Sequence, residues 1–175
     1  MKPHLLFLGL FLLTETYVYA QAISPKDQAI DIAKNDFSSN ISMRKEKYGV
    51  VREKHKVIES TLVVANTLQF YTGNYIFEEI QYQLEIRLDE QNNPIVTLSA
   101  PNQPGIRMKN VTIADAYFVG FVPKTDGSDE KWEGVFINKS HDNNTTFGLG
   151  IKLPTAIPLG DGIELTKLFF RKVLP

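Results

Sequence analysis

Ile80-Gln81-Tyr82-Gln83-Leu84-Glu85-Ile86-Arg87-Leu88-Asp89 carries the clearest strand pattern in the chain. Apolar and polar residues alternate through it without an error. Successive side chains of a strand point to opposite faces, so a period of two marks a strand with one dry and one wet face. Glu90-Gln91-Asn92-Asn93-Pro94 then supplies turn-forming residues, and Ile95 to Ala100 returns with Val96, Leu98 and Ala100 on one face. The two runs predict an antiparallel hairpin.

Further apolar or alternating runs on either side predict more strands. Val57 to Ala65 is β-branched and apolar, and Leu68 to Tyr71 is a short run ending at Gly73-Asn74. Ile106 to Ile113 and Ala116 to Val122 are apolar runs separated by Ala114-Asp115. Trp132 to Asn138 follows the polar loop Lys124 to Lys131. From Thr146 to Leu153 the chain alternates again, with Phe147, Leu149, Ile151 and Leu153 opposite Gly148, Gly150 and Lys152, and Ile163 to Val173 closes the chain. About nine strands at short spacing predict a mainly β fold, an antiparallel β-barrel or β-sandwich. In architecture alone, the strand count and long closing strand are similar to a lipocalin-like barrel, whose G-x-W motif near the first strand is absent.

One α-helix precedes the strands. Ser24 is a good N-cap, Pro25 suits the first helical position, and Asp27 favours the positive end of the helix dipole. Ala29, Ile32, Ala33 and Phe37 form one apolar stripe, which places the helix at 25 to 37, laid on the sheet or across an open end.

Residues 1 to 20 read as a cleaved signal peptide. Lys2 supplies positive charge, Leu5 to Leu13 is an apolar run, and Val18-Tyr19-Ala20 offers small residues at the cleavage-defining positions. The apolar run is about half of the ~20 residues needed to span a bilayer, so the expectation is no stable membrane span and an exported product, periplasmic or extracellular. Residues 21–175 then form a single β-rich domain. It has no cysteine, which excludes disulfide staples, thiol catalysis and thiolate metal sites. Without Lys2 and Glu15 it carries 18 basic and 19 acidic residues, a balance that argues against nucleic acid as a partner.

The chemistry-bearing residues are few. Past the signal segment only His55 and His141 remain, in no metal-ligand spacing. There is no G-x-S-x-G elbow or phosphate-cradling glycine loop, so no catalytic residue, metal or cofactor is assigned. Glu78 and Glu79 are adjacent and in a strand would face opposite sides, which rules them out as the paired carboxylates of a glycoside hydrolase. The Asp126-Gly127-Ser128-Asp129-Glu130 loop is rich in oxygen ligands of the kind calcium uses, and equally in turn formers. Arg44 to Lys56 holds six basic residues in thirteen, interleaved with Glu46 and Glu53, as in a lysine-protected edge strand. N-x-S/T sequons start at Asn40, Asn110, Asn138, Asn143 and Asn144 and become glycan sites only in a eukaryotic secretory pathway.

Aromatics are abundant in the strands. The candidate ligand-binding residues are Tyr82, Glu85, Arg87, Tyr117, Trp132 and Phe136. The expectation is an exported non-catalytic binding protein, a β-barrel holding a small hydrophobic molecule. One alternative is a β-sandwich interaction module that binds protein or glycan on an exposed aromatic face. Another is a carboxylate-based hydrolase.

Overall fold

A computed structural model describes residues 23–47, 50–141, 144–160 and 163–174; within these, the side chains of 39–58, 141, 159, 160 and 163 are not described. The expected signal peptide, residues 1–20, lies outside the described residues. So do the side chains of His55, His141 and the basic stretch from Arg44 to Lys56.

The helix forms where its caps predict. The α-helix α1 (Pro25–Ile32) begins at Ser24, whose Oγ accepts from Asp27 N at 3.1 Å, and ends in a π-helical turn, Ala33–Phe37. Eleven strands follow: β1 (Ser39–Lys47), β2 (Val50–Leu62), β3 (Gly73–Phe77), β4 (Tyr82–Leu88), β5 (Pro94–Ser99), β6 (Ile106–Arg107), β7 (Lys109–Ala114), β8 (Tyr117–Pro123), β9 (Asp129–His141), β10 (Asn144–Gly160) and β11 (Ile163–Lys172). The hairpin read from Ile80 to Ala100 is β4 and β5, in the register Leu84↔Leu98 and Ile86↔Val96.

Nine strands, β3 to β11, follow one another in chain order round a nearly closed antiparallel barrel. The ring closes where β11 pairs back to β3 through Arg171↔Ile76 and Lys172↔Tyr75. Its seam is the β6–β7 stretch. There β5 pairs β6, Met108 N donates to Val96 O at 2.9 Å, and the chain then crosses to β8 as β7. The β1–β2 hairpin is an appendage on the same edge of β9 that carries β8. Tyr117↔Val135 is the last β8 pair and Leu62↔Ile137 the first β2 pair. Between them Phe136 N donates to Ala116 O and Val63 N to Phe136 O, so Phe136 is where β9 changes partner.

Alternation sets two apolar layers. The inward face contributes Tyr75, Leu84, Ile86, Val96, Phe118, Trp132, Phe136, Leu149, Ile151, Leu168 and Phe170, all buried in one core. The outward face of β8 and β9 contributes Tyr117, Val135 and Ile137, on which Ala29, Ala33 and Phe37 pack. The helix therefore lies on the outside of the barrel. Its carboxyl end is pinned twice: Ser60 Oγ donates to Phe37 O at 2.7 Å, and Asp36 sits 3.1 Å from Lys167 and 3.5 Å from Lys152. Those two lysines of β10 and β11 offset an acidic residue that the negative helix end disfavours.

Two sequence expectations need correction. Leu68–Tyr71 is a 3-10 turn, not a strand. The run is too short for its period to be read, and Tyr71 anchors it instead: its hydroxyl donates to Val63 O at 2.9 Å and accepts from Ala65 N at 2.8 Å. Glu78 and Glu79 lie in the turn between β3 and β4, not in a strand, so the opposite-face argument does not apply to them.

Candidate functional site: the aromatic end of the barrel

The six residues singled out from the sequence do not gather at one site. Tyr82, Trp132 and Phe136 belong to the inward side, with Tyr82 half-buried and the other two buried. Glu85, Arg87 and Tyr117 face outward. Glu85 and Arg87 form a bidentate pair at 2.6 Å and line a depression of about 340 Å3 beside Gln69 and Asn74. Tyr117 lies under the helix and donates to Glu133 Oε1 at 2.6 Å. Trp132 is only 4% exposed, so it offers no surface for a partner. Inward side chains gather in one buried core, and four depressions among the described residues open at the surface. The candidate ligand space with a described lining lies at the barrel's end.

That end lies where β9 turns into β10 and β11 finishes. A depression of about 550 Å3 opens there, lined by Asn138, Thr145, Thr146, Phe147, Arg171, Lys172, Val173 and Leu174. Its floor continues into a run of aromatic rings. Phe147 stacks on Phe136 at 6.2 Å between centroids, Phe136 on Tyr71 at 4.2 Å, and Phe70 meets Phe147 edge-on at 5.2 Å. Tyr75 closes the cluster from below, with its hydroxyl donating to Tyr71 O at 2.6 Å. Burial pushes the Tyr75 phenol well above its ordinary value, so it stays a neutral donor. Part of the rim is apolar and wet: Phe70 is 46% exposed, Val173 44% and Leu174 79%. Apolar surface gathered at one place is a recurrent mark of a binding site.

One cation stands among these rings. Lys172 Nζ donates to Phe70 O at 2.7 Å and lies 5.5 to 5.8 Å from the centroids of Phe70, Tyr75 and Phe147. Rings at that range attract an ammonium through their negative faces. Partial burial nevertheless holds the Lys172 amine below the usual lysine range. Among the described residues no carboxylate lies within ion-pair distance of it.

A second concavity runs along the outer face of β11. It joins a hollow of about 290 Å3, holding Glu78, Glu79, Lys139, Phe169 and Arg171, to one of about 230 Å3 beside Asp36 and Lys167. Its charges are largely compensated from within. Arg171 pairs with Glu78, Asp36 with both Lys152 and Lys167, and Lys139 sits 5.2 Å over Phe169. The aromatic end, whose central cation has no counter-ion among the described residues, is the better candidate. In the loop after β8, Asp126 spends its carboxylate on Ser128 N and Oγ at 2.9 and 2.6 Å, forming an Asx turn.

Of Phe70, Phe147 and Lys172, only Lys172 carries a signal in the sequence that marks it out. Leu168, Phe170 and Lys172 share a face by period two, so a lysine follows two inward apolar residues. Comparison of the chain with protein-family models, with curated protein sequences and with solved structures gave no match.

Proposed function

We propose that this chain is an exported, non-catalytic binding protein that takes a small hydrophobic molecule at the aromatic end of its barrel. The observation that carries the reading is the ring cluster of Phe70, Tyr71, Phe136 and Phe147 continuing into a depression of about 550 Å3 with exposed Val173 and Leu174 on its wall. Small-molecule sites have about 300–1,000 Å3 of mostly apolar space with a few placed polar groups. Asn138, Thr145 and Lys172 supply the polar groups here. Export is supported by the charged, apolar and small-residue order of the first 20 residues. No helix among the described residues is long and apolar enough to cross a membrane. The alternative of an interaction face built on Trp132 loses its central residue, which is buried in the core.

Calorimetric titration of the exported form with a panel of apolar compounds tests the reading. Expected are ligands with Kd below about 1 mM and loss of their binding in Phe147→Asp, with the fold retained by circular dichroism. A panel without binders, or binders indifferent to Phe147→Asp and Phe70→Asp, overturns it. Fractionation of cells expressing the full chain tests export: the product outside the cytoplasm begins at Gln21.

A further inference from the structure

Resting on that reading of the aromatic end, we infer that the ligand is an anionic amphiphile: a free carboxylate on an acyl tail, the carboxylate paired with Lys172 and the tail laid along Phe147, Val173 and Leu174.

The sign of the charge comes from the lining. Among the described residues that line it, the depression has two cationic residues, Arg171 and Lys172, and no acidic one. Arg171 is committed to Glu78 outside the barrel. Among the described residues Lys172 is committed to no carboxylate and makes one hydrogen bond, to Phe70 O, which leaves two of its three N–H donors available to them. A partly desolvated ammonium without a counter-ion is costly for a fold to keep. Aromatic faces recover part of that cost, and an incoming carboxylate recovers more, because its bond to an ammonium is charge-assisted.

The shape of the ligand comes from what surrounds that charge. Phe70, Phe147, Val173 and Leu174 present apolar surface beside the ammonium. A compact inorganic anion would leave that surface wet, and a neutral hydrocarbon would leave Lys172 unpaired. A molecule with one anionic end and one apolar end satisfies both. Gly73 assists by leaving room for the lysine stem: a Cβ there would lie 3.1 Å from Lys172 Cε.

Three probes of equal chain length and different head groups make the test: decanoate, decanol and decyltrimethylammonium, titrated into the exported form of the chain. Decanoate is expected to bind about tenfold more tightly than decanol, as a charge-assisted hydrogen bond implies, and the ammonium to bind more weakly than either. In Lys172→Met the preference for decanoate over decanol falls to about one while decanol binding is retained, and Lys172→Gln behaves alike. The inference is overturned if wild-type protein binds decanol as tightly as decanoate. It is also overturned if Lys172→Met weakens both probes equally, or if the chain binds vesicles of anionic phospholipid but not free decanoate. If neither decanoate nor decanol binds, the proposed function itself fails. If decanol binds with no preference for the acid, only the anionic head group is lost. The head-group ratio in the wild-type protein decides the matter even if a Lys172 variant does not fold.

Discussion

The ring of Phe37 rests on the bare backbone of Gly150. A Cβ built at Gly150 would meet three carbons of that ring at 2.8 to 2.9 Å, closer than real Cβ atoms come. Gly148, two residues earlier on the same outward face of β10, is similarly overlaid by Phe169. These glycines turn the outside of the barrel into a seat for the end of the helix, which is why a helix with a narrow apolar stripe docks there at all.

Gly150→Ala is therefore expected to destabilise the fold by about 1–3 kcal/mol, the usual range for overpacking a filled site. Urea unfolding followed by circular dichroism measures it. Phe37→Leu in the same chain recovers part of the loss, because the smaller side chain removes the overlap. A fully additive double variant would mean that the two residues do not clash and that the seat is not the reason for the glycine.

The turn between β7 and β8 makes a different demand. Asp115 and Ala116 both have positive φ, 50° and 67°, in the two-residue loop that joins Ala114 to Tyr117. Alanine at such a φ costs about 1–2 kcal/mol relative to a right-handed conformation. Ala116 is nonetheless fully buried and its carbonyl receives Phe136 N. Ala116→Gly relieves the strain and loses a buried methyl worth about 0.8 kcal/mol, so its net effect is expected within about 1 kcal/mol of zero. Ala116→Val, β-branched at positive φ, is expected to cost more than about 2 kcal/mol. Equal losses in the two variants, read from thermal unfolding, would show that the methyl and not the backbone sets the site.

Alternation made much of the barrel legible. Leu84 and Ile86, or Leu149, Ile151 and Leu153, could be assigned to the core from period two alone, and each is buried. Ser24, Pro25 and Asp27 located the helix start for the same local reason. What pattern cannot carry is which strand meets which. Closure of β11 on β3 is a pairing of Lys172 with Tyr75 across nearly a hundred residues, and no local signal encodes it. The aromatic end depends on that closure, since it brings Lys172 of β11 onto Phe70 and onto Tyr75 of β3. The sequence candidates failed to converge because strand neighbours alternate: Glu85 and Arg87 sit on the outward face opposite Leu84 and Ile86, and Tyr117 points away from the side that holds Trp132 and Phe136.

Acid stability should depend on Glu133. Burial alone would raise its carboxyl, but hydrogen bonds from Lys131 and Tyr117, each 2.6 Å, with the positive charges of Lys131 and Lys152, outweigh that and hold it below the ordinary value. A carboxylate depressed in the folded state stabilises the protein above its unfolded value of about 4.3, and that stabilisation is lost as pH falls through the folded value. Tyr117→Phe removes one donor, so the Glu133 carboxyl rises toward its ordinary value. The variant is expected to be less stable than wild type at neutral pH, with the gap narrowing as acid protonates Glu133. Urea midpoints at neutral and at low pH, together with the carboxyl titration by carbon NMR, make the comparison. A gap of the same size at both pH values would assign it to packing of Tyr117 against the helix.

Trp132 is the single tryptophan of the chain. It is buried in the core, and among the described residues its indole Nε1 is a buried donor with no hydrogen-bond partner. Two residues before it on β9, Glu130 has a buried Oε1 that is likewise without a hydrogen bond, although Lys124 Nζ lies 3.4 Å away. An unmet buried donor costs about 1–3 kcal/mol, so part of what Trp132 gains by filling its site is lost on its own N–H. Trp132→Phe removes both the ring that packs and the donor that is unmet. It is expected to cost less than about 2 kcal/mol, below the 3–5 kcal/mol range of aromatic truncation to alanine in cores. Wild-type fluorescence, which reports this residue alone, should be blue-shifted when folded and move red on unfolding. A loss of 3 kcal/mol or more in Trp132→Phe would mean that the N–H is satisfied in solution, with a buried water joining it to the Glu130 carboxylate as the first arrangement to seek.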